Sequence, residues 1–305
     1  MRKGFVLTFL LTAVFAISVA AQNDQFSIGM KHFEAKEWDK AAAAFKQATI
    51  SAPTSHQTHF NLGLCYYNLL RYQDAADSFQ TSINLSPTYA RAAYWLGNAN
   101  YSLQRYDQAQ KWYARTIVLE PANVKAHVRN GEAYNKLDRF TDGAAAFRKA
   151  LAIDPKNNEA KVGLGTSLVS QNLFADAIPI FQEAVAADPK NGDAYLGLGN
   201  CYYNNSKPAE AIPYYKKATE IYPNSVVANL YLADSYLNAK YYDLAIPVYQ
   251  KTLTLDAKSV MANYGLGLVY YNQGKKPLVQ QQYDKLKALD KTYADKLNAW
   301  LVKMK

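Results

Sequence analysis

Proline recurs along this chain at Pro53, Pro87, Pro121, Pro155, Pro189 and Pro223, each 34 residues after the one before. A spacing held without insertion or deletion means one unit is repeated, and repetition constrains a fold more than any local signal. Setting each proline at position 32 divides residues 22–293 into eight units: 22–55, 56–89, 90–123, 124–157, 158–191, 192–225, 226–259 and 260–293. Position 8 is then Gly29, Gly63, Gly97, Gly131, Gly165, Gly199, Ala233 and Gly267. Position 20 is alanine or glycine from Ala41 to Ala245, and position 24 is aromatic throughout, from Phe45 to Tyr283.

Each unit breaks into two helical halves, for example HFNLGLCYYNLL and QDAADSFQTSINLS, with Arg71 and Tyr72 between them and a proline after. Small residues at positions 8, 20 and 27 let the two helices approach closely, and the aromatic at 24 fills the adjoining layer. A lone hairpin of this size cannot bury its apolar side, whereas a stack of hairpins can. The expected fold is therefore all-α.

Leucine or isoleucine then glycine at 7 and 8, an aromatic at 11, alanine at 20, an aromatic at 24 and proline at 32 closely resemble the tetratricopeptide repeat. The resemblance runs from Gln22 to Tyr293 and implies a right-handed α-solenoid of helix-turn-helix repeats. Departures gather at the ends: His32 at position 11 of the first unit, and Val279, Leu286 and Lys291 in the last. Atypical end units are expected of a stack that must meet water. Residues 294–305 follow as a C-terminal capping helix, since Tyr293, Leu297, Trp300 and Leu301 share one helical face. Pro179, Pro213 and Pro247, at position 22 of three successive units, are expected near the start of each second helix, where a missing amide is tolerated.

The motif CYYN occurs at Cys65–Asn68 and again at Cys201–Asn204, four periods on. Four layers roughly 10 Å thick would separate the two sulfurs far beyond disulfide reach, so each is expected as an inert, buried core thiol.

The start of the chain, MRKGFVLTFLLTAVFAISVAAQ, has a basic beginning, an apolar run from Phe5 to Val19 and small residues after it. This is the pattern of a secretory signal peptide over residues 1–21, with cleavage expected after Ala20 or Ala21. It implies export across a bacterial inner membrane, to the periplasm or beyond, with no stable membrane insertion after cleavage. The net charge of +9 is spread along the chain, which argues against nucleic acid and reads as a solvated face.

Catalytic and metal-binding patterns are not found. His56 and His59 form an i, i+3 pair with no further ligand at usable spacing, the glycines belong to helix packing, and Glu132, Glu159, Asp193 and Asp234 lie in separate units. A non-enzymatic protein without cofactor or metal is expected.

Positions 4, 7, 8 and 11 of the first helix face the packing, so 2, 5, 6, 9, 12 and 13 lie on the other side. In the family that this chain resembles, that side lines the concave groove that takes peptides or partner helices. Position 5 includes Phe60 and Tyr94, position 6 includes Trp95 and Tyr231, and position 12 includes Tyr67, Tyr101, Tyr203 and Tyr271. These rings exceed what packing between first helices needs and suit a groove that anchors apolar side chains. Asn68, Asn204, Asn238 and Asn272 at position 13 form a row of amides able to meet an extended main chain. Arg91, Lys125, Arg129 and Lys136 gather beside Trp95 and Asn98, a basic patch suited to an acidic segment, while Glu159, Asp193 and Asp234 lie further along. Tetratricopeptide domains that hold chaperone C-terminal carboxylates use Lys and Arg at the places of Lys125 and Arg129. Phe60, Leu64 and Trp95 stand where that clamp has its other three residues, so chaperone tethering is not implied.

The sequence thus points to a protein-interaction scaffold of the cell envelope binding a partner's peptide or helix. A glycan or peptidoglycan binder and a self-associating spacer are the alternatives. Partner identity and oligomeric state are not encoded in any motif.

Overall fold

The computed structural model describes residues 25–304, so the expected leader lies outside the described residues. The described residues form 17 α-helices and no strand, in two compact units, one ending at Pro155 and one beginning at Lys156.

The first unit holds α1 (residues 25–34), α2 (Trp38–Ser51), α3 (His56–Asn68), α4 (Tyr72–Leu85), α5 (Ala90–Ser102), α6 (Tyr106–Leu119), α7 (Val124–Lys136) and α8 (Phe140–Ile153). The second holds α9 (Asn158–Ser170), α10 (Phe174–Ala187), α11 (Gly192–Asn204), α12 (Pro208–Ile221), α13 (Val226–Asn238), α14 (Tyr242–Leu255), α15 (Val260–Asn272), α16 (Lys276–Leu289) and α17 (Lys291–Leu301). In each unit the helices follow one another as stacked hairpins, an α-solenoid arrangement.

Local chemistry explains the boundaries. Ser55, Asn123, Asn157, Asn191, Ser225 and Ser259 each cap a first helix by accepting the amide three residues on. Tyr89, before α5, has no such bond and instead sets its ring 5.1 Å from Phe60 and 5.0 Å from His56. First helices end with a left-handed residue at position 15: Lys36, Leu70, Gln104, Asp138, Asn172, Ser206, Lys240 and Gly274. The next amide then reaches back five residues, as Arg71 N does to Tyr66 O at 2.9 Å, which satisfies a terminal carbonyl.

Inside each hairpin, glycine at position 8 admits the ring at position 24. A Cβ on Gly63 would come within 2.6 Å of the Phe79 ring, and one on Gly97 within 2.6 Å of Tyr113. Phe45, Phe79, Tyr113 and Phe147 are fully buried in the first unit, as are Phe181, Tyr215 and Tyr249 in the second. The hairpin of α15 and α16 departs from this expectation. There Tyr283 is only partly buried, and Leu297 of α17 approaches Gly267 instead. Helix α17 starts at Lys291, three residues before the expected boundary, because position 32 holds lysine in place of proline and Asp290 caps the helix directly.

The three prolines at position 22 also require a correction. Pro179, Pro213 and Pro247 are the sixth residues of α10, α12 and α14, beyond the first turn, so each removes one backbone bond within the helix. Both cysteines are free and buried, and burial pushes each thiol up to about 12.

Candidate functional site

In the first unit Trp95 of α5 is the centre of an aromatic cluster. Its ring lies 5.1 Å from Tyr67, 6.4 Å from Phe79 in a stacked pose and 6.1 Å from Tyr94. Tyr67, Tyr94 and Trp95 are half-buried, so each keeps an edge toward solvent. The Tyr67 hydroxyl lies 3.2 Å from Ser102 Oγ, tying α3 to α5. Phe60, expected on this surface, is 2% exposed and belongs to the core, with the Arg91 guanidinium 5.0 Å over its ring.

The other expected residues divide by what already holds them. Asn98 Oδ1 accepts the Tyr113 hydroxyl at 2.9 Å, and Arg129 pairs with Glu132 at 2.6 Å. Tyr101 packs 5.1 Å from Tyr106, and burial, reinforced by Glu132, pushes its hydroxyl up to about 12. Arg91, Lys125 and Lys136 are exposed. The amide row is partly turned inward: Asn68, Asn238 and Asn272 each donate an N–H to the carbonyl four residues back, at 2.8 Å. Their carbonyl oxygens, rather than a full set of donors, are what the row presents.

The second unit draws Tyr203, Asn204 and Tyr231 around one pocket of about 160 Å³, together with Asn200, Tyr215 and Asp234. Helix α11 supplies Asn200, Tyr203 and Asn204, α12 supplies Tyr215, and α13 supplies Tyr231 and Asp234. Tyr231 lies 5.6 Å from Tyr215, whose hydroxyl donates to Asn200 Oδ1 at 2.7 Å. Asn238 stands at the margin, donating to the Tyr203 hydroxyl at 2.8 Å. Asp234 accepts the Tyr249 hydroxyl at 2.5 Å, and burial pushes its carboxyl up to about 6 against the opposing pull of that bond. Tyr271 stands apart, 5.0 Å from Trp300 in the contact with α17.

Asn200, Tyr215 and Asp234 escaped the sequence reading as one site, yet a signal exists. Position 24 is tyrosine in three hairpins where position 9 is Asn or Asp, giving Tyr113 with Asn98, Tyr215 with Asn200 and Tyr249 with Asp234. Position 6 has its own pattern in the second unit. Gly197 and Gly265 let the rings of Phe181 and Tyr249 pack directly on the helix backbone, where a Cβ would come within 2.3 and 2.4 Å of them, whereas Tyr231 sets its own ring against Tyr215.

His56 packs on Tyr89 and His59 lies 3.1 Å from Pro53 O, and among the described residues no group of three or more potential ligands could hold a metal. No helix among them is long and apolar enough to cross a membrane.

Comparisons with known proteins agree with this geometry. The tetratricopeptide repeat model matches residues 26–90, 69–117, 96–158, 162–226 and 230–278. Among curated proteins no relative matches. A crystal structure of MamA protein is 25% identical, covering 56% of this chain and 93% of its own, with a TM-score of 0.53. A tetratricopeptide repeat protein from Parabacteroides merdae is 15% identical over 82% of this chain and 99% of its own, with a TM-score of 0.66. YrrB, described as a TPR protein with an unusual peptide-binding site, is 20% identical over 62% of this chain and 97% of its own, with a TM-score of 0.53. With the family's repeat matched over most of its length, the chain belongs to the tetratricopeptide repeat family.

Proposed function

We propose that this protein is an exported, non-enzymatic scaffold of the bacterial cell envelope that holds an extended segment or helix of a partner protein on its first-helix face. The observation that carries this reading is the half-buried cluster of Tyr67, Tyr94 and Trp95, rings with an open edge on a surface where solvation alone would favour small polar residues. Arg91 on the same helix and the exposed Lys125 and Lys136 of α7 favour an acidic segment, and the fold is one on which peptide binding occurs, as in YrrB. The apolar leader over residues 1–21 supports export to the periplasm.

Photocrosslinking in cells tests this, with the probe placed at Trp95 or, for comparison, at the exposed Lys111 of α6. One discrete envelope protein captured only from Trp95, and lost on Arg91→Glu with Lys125→Glu, is the expected result. Adducts that are absent, or the same from both positions, refute the reading. Saturable binding of a neutral oligosaccharide that depends on Trp95 and ignores salt would put a glycan in the partner's place.

A further inference from the structure

From the pocket in the second unit we infer a subsite for a cationic side chain, the ammonium or guanidinium of a lysine or arginine carried by the bound segment. The inference rests on the scaffold reading and adds the chemistry of one contact. Its starting point is a comparison the protein makes with itself. At position 9 an asparagine suffices to accept the buried tyrosine hydroxyl, as Asn98 does for Tyr113 and Asn200 for Tyr215. The hairpin of α13 and α14 does the same work with Asp234, so the negative charge there is not needed to hold Tyr249.

Among the described residues no lysine, arginine or histidine pairs with Asp234, and burial, not a neighbouring charge, dominates its surroundings. A carboxylate held partly out of water gains most from an opposite charge brought to it. The remaining walls suit such a guest. The rings of Tyr203, Tyr215 and Tyr231 line the same pocket, and Tyr231 is 36% exposed at its mouth. Ring faces attract ammonium and guanidinium groups, and the attraction grows as water is excluded. Asn200 and Asn204 add carbonyl oxygens that accept from a cation's N–H groups. At about 160 Å³ the pocket is smaller than the usual small-molecule site and fits the end of one side chain.

The test titrates the full chain with n-butylammonium and n-butylguanidinium chlorides, with butan-1-ol as the neutral match and sodium chloride to hold ionic strength. Amide NMR signals of Asn200, Tyr203 and Asp234 report binding. Both cations are expected to give saturable shifts there, butan-1-ol none, and Asp234→Asn should weaken the cations about tenfold or more. That variant recreates the Tyr–Asn pair already present in two other hairpins, so the fold has precedent for it. Tyr231→Ala, on an exposed residue, provides an independent wall deletion and should also weaken them. Shifts that fail to saturate, that butan-1-ol matches, or that keep their affinity in Asp234→Asn and Tyr231→Ala overturn the inference. Cation binding without a captured partner would sink the scaffold reading alone; a captured partner without cation binding would sink only this subsite.

Discussion

Leu70 is a residue whose conformation, not its contacts, decides its energetic role. It is 70% exposed at φ 60°, in the left-handed region that disfavours every side chain by roughly 1–2 kcal/mol. Leu70→Gly relieves that strain and loses little burial, while glycine's greater unfolded-state freedom takes back roughly 0.5–1 kcal/mol. A net gain of about 0.5–1 kcal/mol is expected in urea unfolding, with the m-value unchanged. Asp234 is the opposite kind of residue, one whose charge is costly where it sits. Its folded value of about 6 lies above the ordinary 3.8, so the folded state binds the proton more tightly than the unfolded chain does. The stability this contributes is fully present below pH 3.8 and is lost as pH rises through 6. Asp234→Asn should therefore leave stability near that of the parent at pH 4 and exceed it by about 3 kcal/mol at pH 8, read from parallel unfolding curves.

The elements show where sequence patterns speak clearly and where they fall silent. Stacked helical hairpins and the packing of small residues against the position 24 ring were legible, because each depends on residue type at a fixed position. The left-handed turn at position 15 was not, since glycine marks it only at Gly274 and seven other residues adopt it under the pull of the surrounding bonds. Position 22 prolines were placed one turn too early for a related reason: the second helices begin without a side-chain cap, and of these three only α12 marks its first residue, with Pro208. Of the candidate site, the aromatic positions were readable from periodicity. Which ring stays open and which is buried was not, because Phe60 and Tyr94 share position 5 and differ only in what packs over them. Helix α17 offers a direct check on element-level packing. Leu297 is fully buried and lies where a hairpin ring would otherwise sit, so Leu297→Ala should destabilise the second unit by about 2–5 kcal/mol in chemical unfolding.

For the whole molecule, the proposal joins a leader to a binding scaffold, and each half is separately testable. Expressed with its leader in a bacterial host and recovered from the periplasm, the protein should begin at Ala21 or Gln22 by N-terminal sequencing. An intact Met1 on a membrane-bound product would replace cleavage with anchoring. The surface that such a scaffold offers is uneven along the second unit. Gly197 and Gly265 are buried and close over the rings of Phe181 and Tyr249, whereas Tyr231, at the equivalent position between them, is 36% exposed beside Tyr215. A segment bound there meets a projecting ring at one repeat and none at the equivalent place on either side, so sliding by one repeat would move its bulk onto or off the tyrosine. That one ring thereby serves as a landmark, setting the alignment of a guest on a scaffold whose own repetition would otherwise leave every alignment alike.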